Sequence, residues 1–352
     1  MNLFFYEIKK LSLKKIVISG LLILLIGIVY NFFSSYLYFD TYVLTSDENE
    51  VEAVNGKQAN ELRKNAENQF SGEVDKQKLM EMKEFLQNEE QRVSHLSKDE
   101  KSLYMMKYSN MSSLVDANIQ GINFGYCRGW QKFMTNFSNA FSFFIIINLV
   151  IVLYKIFICD RENKVADIVY STKLARSKSV QARISIANMI SLILYSAFYL
   201  INFLIHMFLY GFDGAKVSIQ SLAIYVNSQY TFNLGQLAII MFIEGMLATC
   251  AISMIVCLCS CYGKNTFSVL LGSLLFILVP ILFDFSDIAP SFQKMLELLP
   301  IYSLNVISQY QAAGLFHNSI LTPILSGGIS IGIILISVFL IKQYFRNYTL
   351  KK

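Results

Sequence analysis

The chain has 352 residues, 54% of them hydrophobic and 14% aromatic, with only 16% charged and a formal net charge of +5. That balance, with a mean hydropathy of +0.46, excludes a water-soluble domain and identifies a membrane protein. The small basic excess is a membrane-orientation signal, and no nucleic-acid partner follows from it.

The first residues, NLFFYEIKKLSLKK, place Phe4, Ile8 and Leu11 on one helical face and lysines on another. This is the pattern of a helix lying in the membrane interface; a plain basic anchor is the simpler alternative. The apolar run that follows is too long for a signal peptide and lacks a small-residue cleavage site, so it is expected to stay as a first span. Six runs, over 16–38, 137–158, 186–210, 235–259, 266–284 and 320–341, are long enough to cross a hydrocarbon core of about 30 Å at about 1.5 Å per residue.

Between the first and second spans, residues 39–136 carry 16 acidic and 12 basic side chains, a different composition from the rest. They are expected to form a separate, mainly helical extracellular domain. From Asp75 to Leu96 the residues Leu79, Met82, Leu86, Val93 and Leu96 recur at helical spacing, with Glu89 interrupting the stripe. In SKDE, Ser97 and Glu100 make a capping box that opens a second helix through Leu103 and Met106. Strand signals are nearly absent, and Cys127 has no cysteine partner in the segment.

The second and third spans are joined by CDRENKVADIVYSTKLARSKSVQAR, residues 159–183. Val165, Ile168 and Val169 form an apolar ridge on a short helix amid charge, a pattern able to dock in a groove of a partner protein. A plain basic loop is the alternative. Glu244, in MFIEGMLAT, sits about ten residues into the fourth span, where a carboxylate costs at least ~2.5 kcal/mol and must face the bundle interior or water. It reads either as a contact on a substrate path, for a cation or a proton, or as a buried acid held by neighbouring helices, with Gly245 allowing close approach. CLCSC at 257–261 reads as small membrane residues rather than a soft-metal set. Between the last two spans, Pro290 and Pro300 bracket a short amphipathic stretch, and a second apolar stretch too short to span follows.

With both termini inside, the N-terminal segment, the 159–185 loop, Lys264 and the C-terminal tail supply 15 Lys and Arg, against Lys216 and Lys294 in the two short outside loops. The positive-inside rule therefore puts both termini in the cytoplasm. There is no phosphate-binding loop, no HExxH and no GxSxG, and the three histidines, His95, His206 and His317, are scattered. No catalytic or metal site is expected. His206 reads as a hydrogen-bonded residue near the outer end of the third span.

The 159–183 loop resembles the one joining the second and third spans of ABC exporter permeases of the type-two (type V fold) class, which serve drug, peptide or polysaccharide export. The family pattern is an acidic residue leaving the second span, an aliphatic pair, a Ser or Thr, an Arg, and a basic residue opening the third span. It falls here on Glu162, Ile168 with Val169, Ser171, Arg176 and Arg183. The family's glycine after the acidic position is absent, since Asn163, Lys164 and Val165 stand there, and Arg183 replaces the frequent Lys. The N-terminal segment is similar to the family's elbow helix, and 285–319 to its re-entrant extracellular hairpin.

The resemblance covers 1–38 and 137–352 and implies an all-α polytopic membrane protein with six spans. It implies a permease subunit that pairs with a second copy or paralogue and with two ATP-binding cassette subunits. Those subunits would bind ATP and Mg; this chain would hold no cofactor and perform no chemistry. The apolar bundle favours a hydrophobic or amphipathic cargo, such as a peptide toxin, antimicrobial peptide or drug. Two other classes remain open: a membrane-anchored sensor working through its extracellular domain, and a proton-coupled secondary transporter using Glu244.

Overall fold

In a bilayer an apolar segment has to satisfy its own backbone, and the helix is the single-segment solution. The computed structural model describes residues 7, 13–37, 42–46, 50–54, 61, 64, 65, 84, 88, 125–136, 142–172, 175–222, 225, 228, 230, 232–283, 296, 298–304, 310 and 321–347. Its elements in chain order are α1 (Leu13–Leu37), β1 (Tyr42–Ser46), β2 (Glu50–Val54), α2 (Arg128–Asn136), α3 (Ser142–Leu153), α4 (Lys155–Glu162), α5 (Ala166–Val169), α6 (Val180–Tyr210), α7 (Leu234–Tyr262), α8 (Thr266–Phe283), α9 (Pro300–Leu304) and α10 (Leu321–Arg346). Four helical stretches are long and apolar enough to cross a membrane: Phe143–Glu162, Arg176–Tyr210, Leu234–Tyr262 and Thr322–Arg346. Two shorter apolar stretches, Gly20–Tyr30 and Thr266–Pro280, lie in α1 and α8. The chain is a helical membrane protein.

α7 is the central helix, packed against α3, α4, α6, α8, α9 and α10. Its buried positions include Ala238, Gly245, Ala248, Ala251, Ser253 and Ser260, and small residues of this kind let helices approach where lipid gives no hydrophobic drive. Asn233 and Gln236 close its N-terminus with a reciprocal capping box, Asn233 Oδ1 accepting from the Gln236 amide at 2.8 Å and Gln236 Oε1 accepting from the Asn233 amide at 3.0 Å. α1 packs on α3 and α6 and turns Leu21, Leu22, Leu25 and Ile26 outward, as a lipid-facing helix does.

The structure departs from the sequence expectations in three places. β1 and β2 pair as an antiparallel hairpin, Tyr42 opposite Val54 and Ser46 opposite Glu50, inside the segment read as nearly free of strand signals. The β-branched Val43, Thr45, Val51 and Val54 favour extended chain, a signal that the surrounding acidic composition hid. The second apolar run is interrupted at Tyr154 and divides into α3 and α4. The third helix begins at Val180, six residues before the apolar run, after a π-helical turn over Ala175–Ser179. Polar residues join this helix because their side chains have buried partners.

On the side of the bundle where α6 ends, α2 packs against that helix. Tyr126 donates its hydroxyl to the Tyr210 carbonyl at 3.0 Å, and the Trp130 indole donates to the Phe212 carbonyl at 3.3 Å. Gly214 has φ +100°, and a Cβ there would lie 2.6 Å from the Tyr126 carbonyl oxygen, so only glycine fits this turn. Lys64 reaches Asp213 at 2.5 Å, placing part of the segment between the first two apolar helices at the same end.

Candidate functional site

The loop between α4 and α6 is rooted in a buried ion cluster. Arg183, 1% exposed, enters the bundle from the first turn of α6. Its Nε donates to Glu7 Oε2 at 2.9 Å, and one terminal nitrogen lies 2.8 Å from Asp160 Oδ2. The same nitrogen donates to the Ile156 carbonyl and to the Tyr170 hydroxyl oxygen, both at 3.1 Å. Tyr170 in turn donates to Asp160 Oδ2 at 2.9 Å, and Ser179 donates to Glu7 Oε1 at 2.5 Å. A guanidinium suits this hub because its planar fork serves several acceptors at once. Burial holds the Tyr170 phenol well above its ordinary value, so it remains a hydroxyl able to donate.

Aromatic packing closes the cluster from the last helix. Phe345 of α10 lies with its ring centroid 4.6 Å from Tyr170 and 5.2 Å from Phe157, and the Arg183 guanidinium sits 5.8 Å from the Phe157 ring. Glu7, α4, the loop, α6 and α10 thus meet at one point. Breaking such a pair by removing one partner costs about 3–5 kcal/mol, since the partner charge stays buried.

A second set of contacts fixes the other side of the loop. Where the helix breaks at Tyr154, the amides of Phe157 and Ile158 donate to Ser260 Oγ, both at 3.1 Å, and that hydroxyl donates to the Tyr154 carbonyl at 2.8 Å. One serine of α7 therefore takes up two amides and a carbonyl at the break. Arg161 caps the end of α7, donating to the carbonyls of Gly263 at 2.8 Å and Ser260 at 2.7 Å, and to Cys261. Glu162 accepts from the Thr266 amide at 3.0 Å and from its hydroxyl, tying the loop to the start of α8.

The residues singled out from sequence separate into two groups. Arg183 lies at the centre of the cluster. Glu162 and Arg176 make contacts within the chain, Arg176 Nε donating to the Tyr170 carbonyl at 2.6 Å. The expected apolar ridge divides: Val169 packs on the core and Val165 is half-buried, whereas Ile168 is 76% exposed. The reason is local, because α5 is a single turn and Tyr170, next to Val169, is drawn into the cluster. Ser171 is exposed and donates to the Ile168 carbonyl at 2.8 Å. Phe4, Ile8, Leu11 and Pro290 lie outside the described residues.

Glu7, Asp160 and Ser260 were missed by sequence reading, as were Tyr170, Ser179, Arg161 and Phe345. Glu7 is the one acid in a basic N-terminal segment, and Asp160 ends an apolar run; each is a charge in a place that does not favour it, and that is the available signal. Ser260 gave none.

Elsewhere, Pro300 and the rest of α9 are buried, with the Tyr302 hydroxyl donating to the Pro280 carbonyl at 3.0 Å and Ser303 meeting Ser326 of α10. Glu244 is half-buried and accepts from the Tyr310 hydroxyl at 2.7 Å. His206 is buried and its Nδ1 donates to the Asn202 carbonyl at 2.8 Å. Among the described residues no three His, Cys, Asp or Glu side chains gather as a metal set. Compared with known proteins, the chain matches no family model, no curated protein and no solved structure.

Proposed function

We propose that this chain is the transmembrane permease subunit of an ATP-driven exporter of the ABC class, moving a hydrophobic or amphipathic cargo out of the cell by alternating access. One observation carries the reading. The loop after α4 is anchored by the buried Arg183 cluster, and its apolar residue Ile168 is left 76% exposed. A segment that receives force from a soluble partner needs a stiff root and an exposed tip, and the loop has both. A plain basic loop needs neither.

In this reading α1 and α8 also span, giving six spans with both termini cytoplasmic, and residues 39–136 form the extracellular domain of a multi-pass cell-membrane protein. Two ATP-binding subunits, holding ATP and Mg, close on hydrolysable nucleotide and push Ile168 and the loop. The buried cluster passes the movement to α4, α6 and the N-terminal segment, and the bundle rocks against a second permease copy or paralogue. The family resemblance of the loop supports the same assignment.

The test is co-expression with an ATP-binding subunit encoded beside this chain, recovery on a tag carried by this chain, and ATP hydrolysis measured in lipid. A stoichiometric, hydrolysing complex is expected. A chain that purifies alone and recruits no such subunit overturns the proposal.

A further inference from the structure

Glu244 stands at the centre of a second group of side chains, built from α6, α7, the chain before α7 and the segment after α9. The Tyr310 hydroxyl donates to Glu244 Oε1 at 2.7 Å, and Tyr195 and Tyr230 lie within electrostatic range of the carboxylate. The rings of Tyr230 and Tyr310 are 5.0 Å apart, and Phe232 stacks on Tyr230 at 5.4 Å. Tyr195, Tyr225, Tyr230 and Tyr310 are all buried. No Lys, Arg or His among the described residues pairs with Glu244.

The group is polar, its tyrosines are buried, and it is incomplete. Among the described residues Glu244 Oε2 is buried with no hydrogen-bond partner, and so is the Tyr225 hydroxyl, which lies within electrostatic range of Tyr310. Protonation does not repair this, because a hydroxyl on Oε2 needs an acceptor just as the anion needs a donor. An unsatisfied buried polar atom costs about 1–3 kcal/mol, so two in one cluster favour a donor that the described residues do not supply. A cation answers the carboxylate, N–H donors answer both orphan oxygens, and the aromatic faces favour positive charge.

We propose that this cluster binds an organic cation with N–H donors, a protonated amine or a guanidinium carried on an apolar body. The assignment of that cation as transported cargo rests on the exporter reading; the binding site itself does not. The cation's N–H groups meet Oε2 of Glu244 and the Tyr225 oxygen, and its apolar body lies against Tyr230 and Tyr195. Cargo of this kind includes basic side chains of an amphipathic peptide and lipophilic amines.

The experiment uses the full chain in zwitterionic lipid nanodiscs and equilibrium dialysis of phenethylammonium, with empty nanodiscs subtracted. Saturable binding is expected, weakened about tenfold or more in Glu244→Gln and roughly threefold to thirtyfold in Tyr230→Leu. The neutral isostere 2-phenylethanol is expected not to saturate. Three results overturn the proposal: no saturable binding by the unaltered chain, equal affinity for 2-phenylethanol, or unchanged affinity in the variants. If Glu244→Gln does not purify as a monodisperse species, Tyr230→Leu, which keeps the carboxylate, decides. No ATP-binding subunit is present in this measurement, so its failure leaves the recovery experiment above untouched, and failure there leaves a cation site with a different use.

Discussion

The Tyr195 phenol occupies the space that a side chain at position 245 would need: it donates to the Met241 carbonyl at 3.0 Å, and a Cβ on Gly245 would overlap its ring and hydroxyl. This contact sets the spacing of α6 and α7 next to Glu244. Gly245→Ala is expected to destabilise the bundle by about 1–3 kcal/mol, the usual cost of overpacking. Thermal unfolding in detergent reads the effect, and Tyr195→Phe in the same background is expected to recover part of the loss. A Gly245→Ala variant as stable as the parent would mean the helices have slack.

Arg183→Ala leaves Glu7 and Asp160 buried without their cation, and a loss of about 3–5 kcal/mol is expected. Arg183→Lys should recover only part, since an ammonium lacks the fork that reaches several acceptors. Protease susceptibility of the N-terminal segment is the specific readout, because Glu7 is held through this arginine.

Ser260→Ala releases the amides of Phe157 and Ile158. Their hydrogen exchange should quicken while exchange elsewhere in α7 stays slow, with a stability loss of about 1–3 kcal/mol. Unchanged exchange over 154–160 would show that the break at Tyr154 is satisfied some other way.

For the docking surface, Ile168→Asp is expected to weaken recovery of the ATP-binding subunit about thirtyfold, the scale of a hot-spot residue, while leaving this chain's own stability unaltered. Ser171→Ala should recover the subunit as the parent does. Glu162→Ala is a poorer probe of docking, as it also removes the contact with Thr266.

Tyr170 gives a pH signature. Its phenol is raised above the ordinary value by burial, so its contribution to stability is complete below about pH 10 and declines as pH rises beyond it. The stability advantage of the parent over Tyr170→Phe should be constant at neutral pH and shrink above about pH 10. A constant difference through that range would indicate a phenol open to water.

Much of the architecture was legible in the sequence because bilayer thickness imposes a length on apolar runs, and α7 and α10 follow their runs closely. The helix ends were less so, since Val180–Ile184 reads as a polar loop until Arg183 finds carboxylates from distant segments. Glu244 was visible as a charge in an apolar run, but Tyr310, its partner, lies 66 residues away. Ile168 and Val169 illustrate the limit of periodicity: on a single turn, the neighbour that is pulled inward decides which side chain faces out.

The salt bridge between Glu7 and Arg183 joins residues 176 positions apart, and synthesis is directional. At about 5–20 residues per second, roughly 10–35 s separate the two on the ribosome. Through that interval Glu7 lacks the arginine that pairs with it, so it must wait in water or among headgroups while two apolar runs are delivered. Seating Glu7 is therefore a late step of biogenesis, and truncated chains that stop before Arg183 leave this carboxylate without its partner, a defect that quality control can act on.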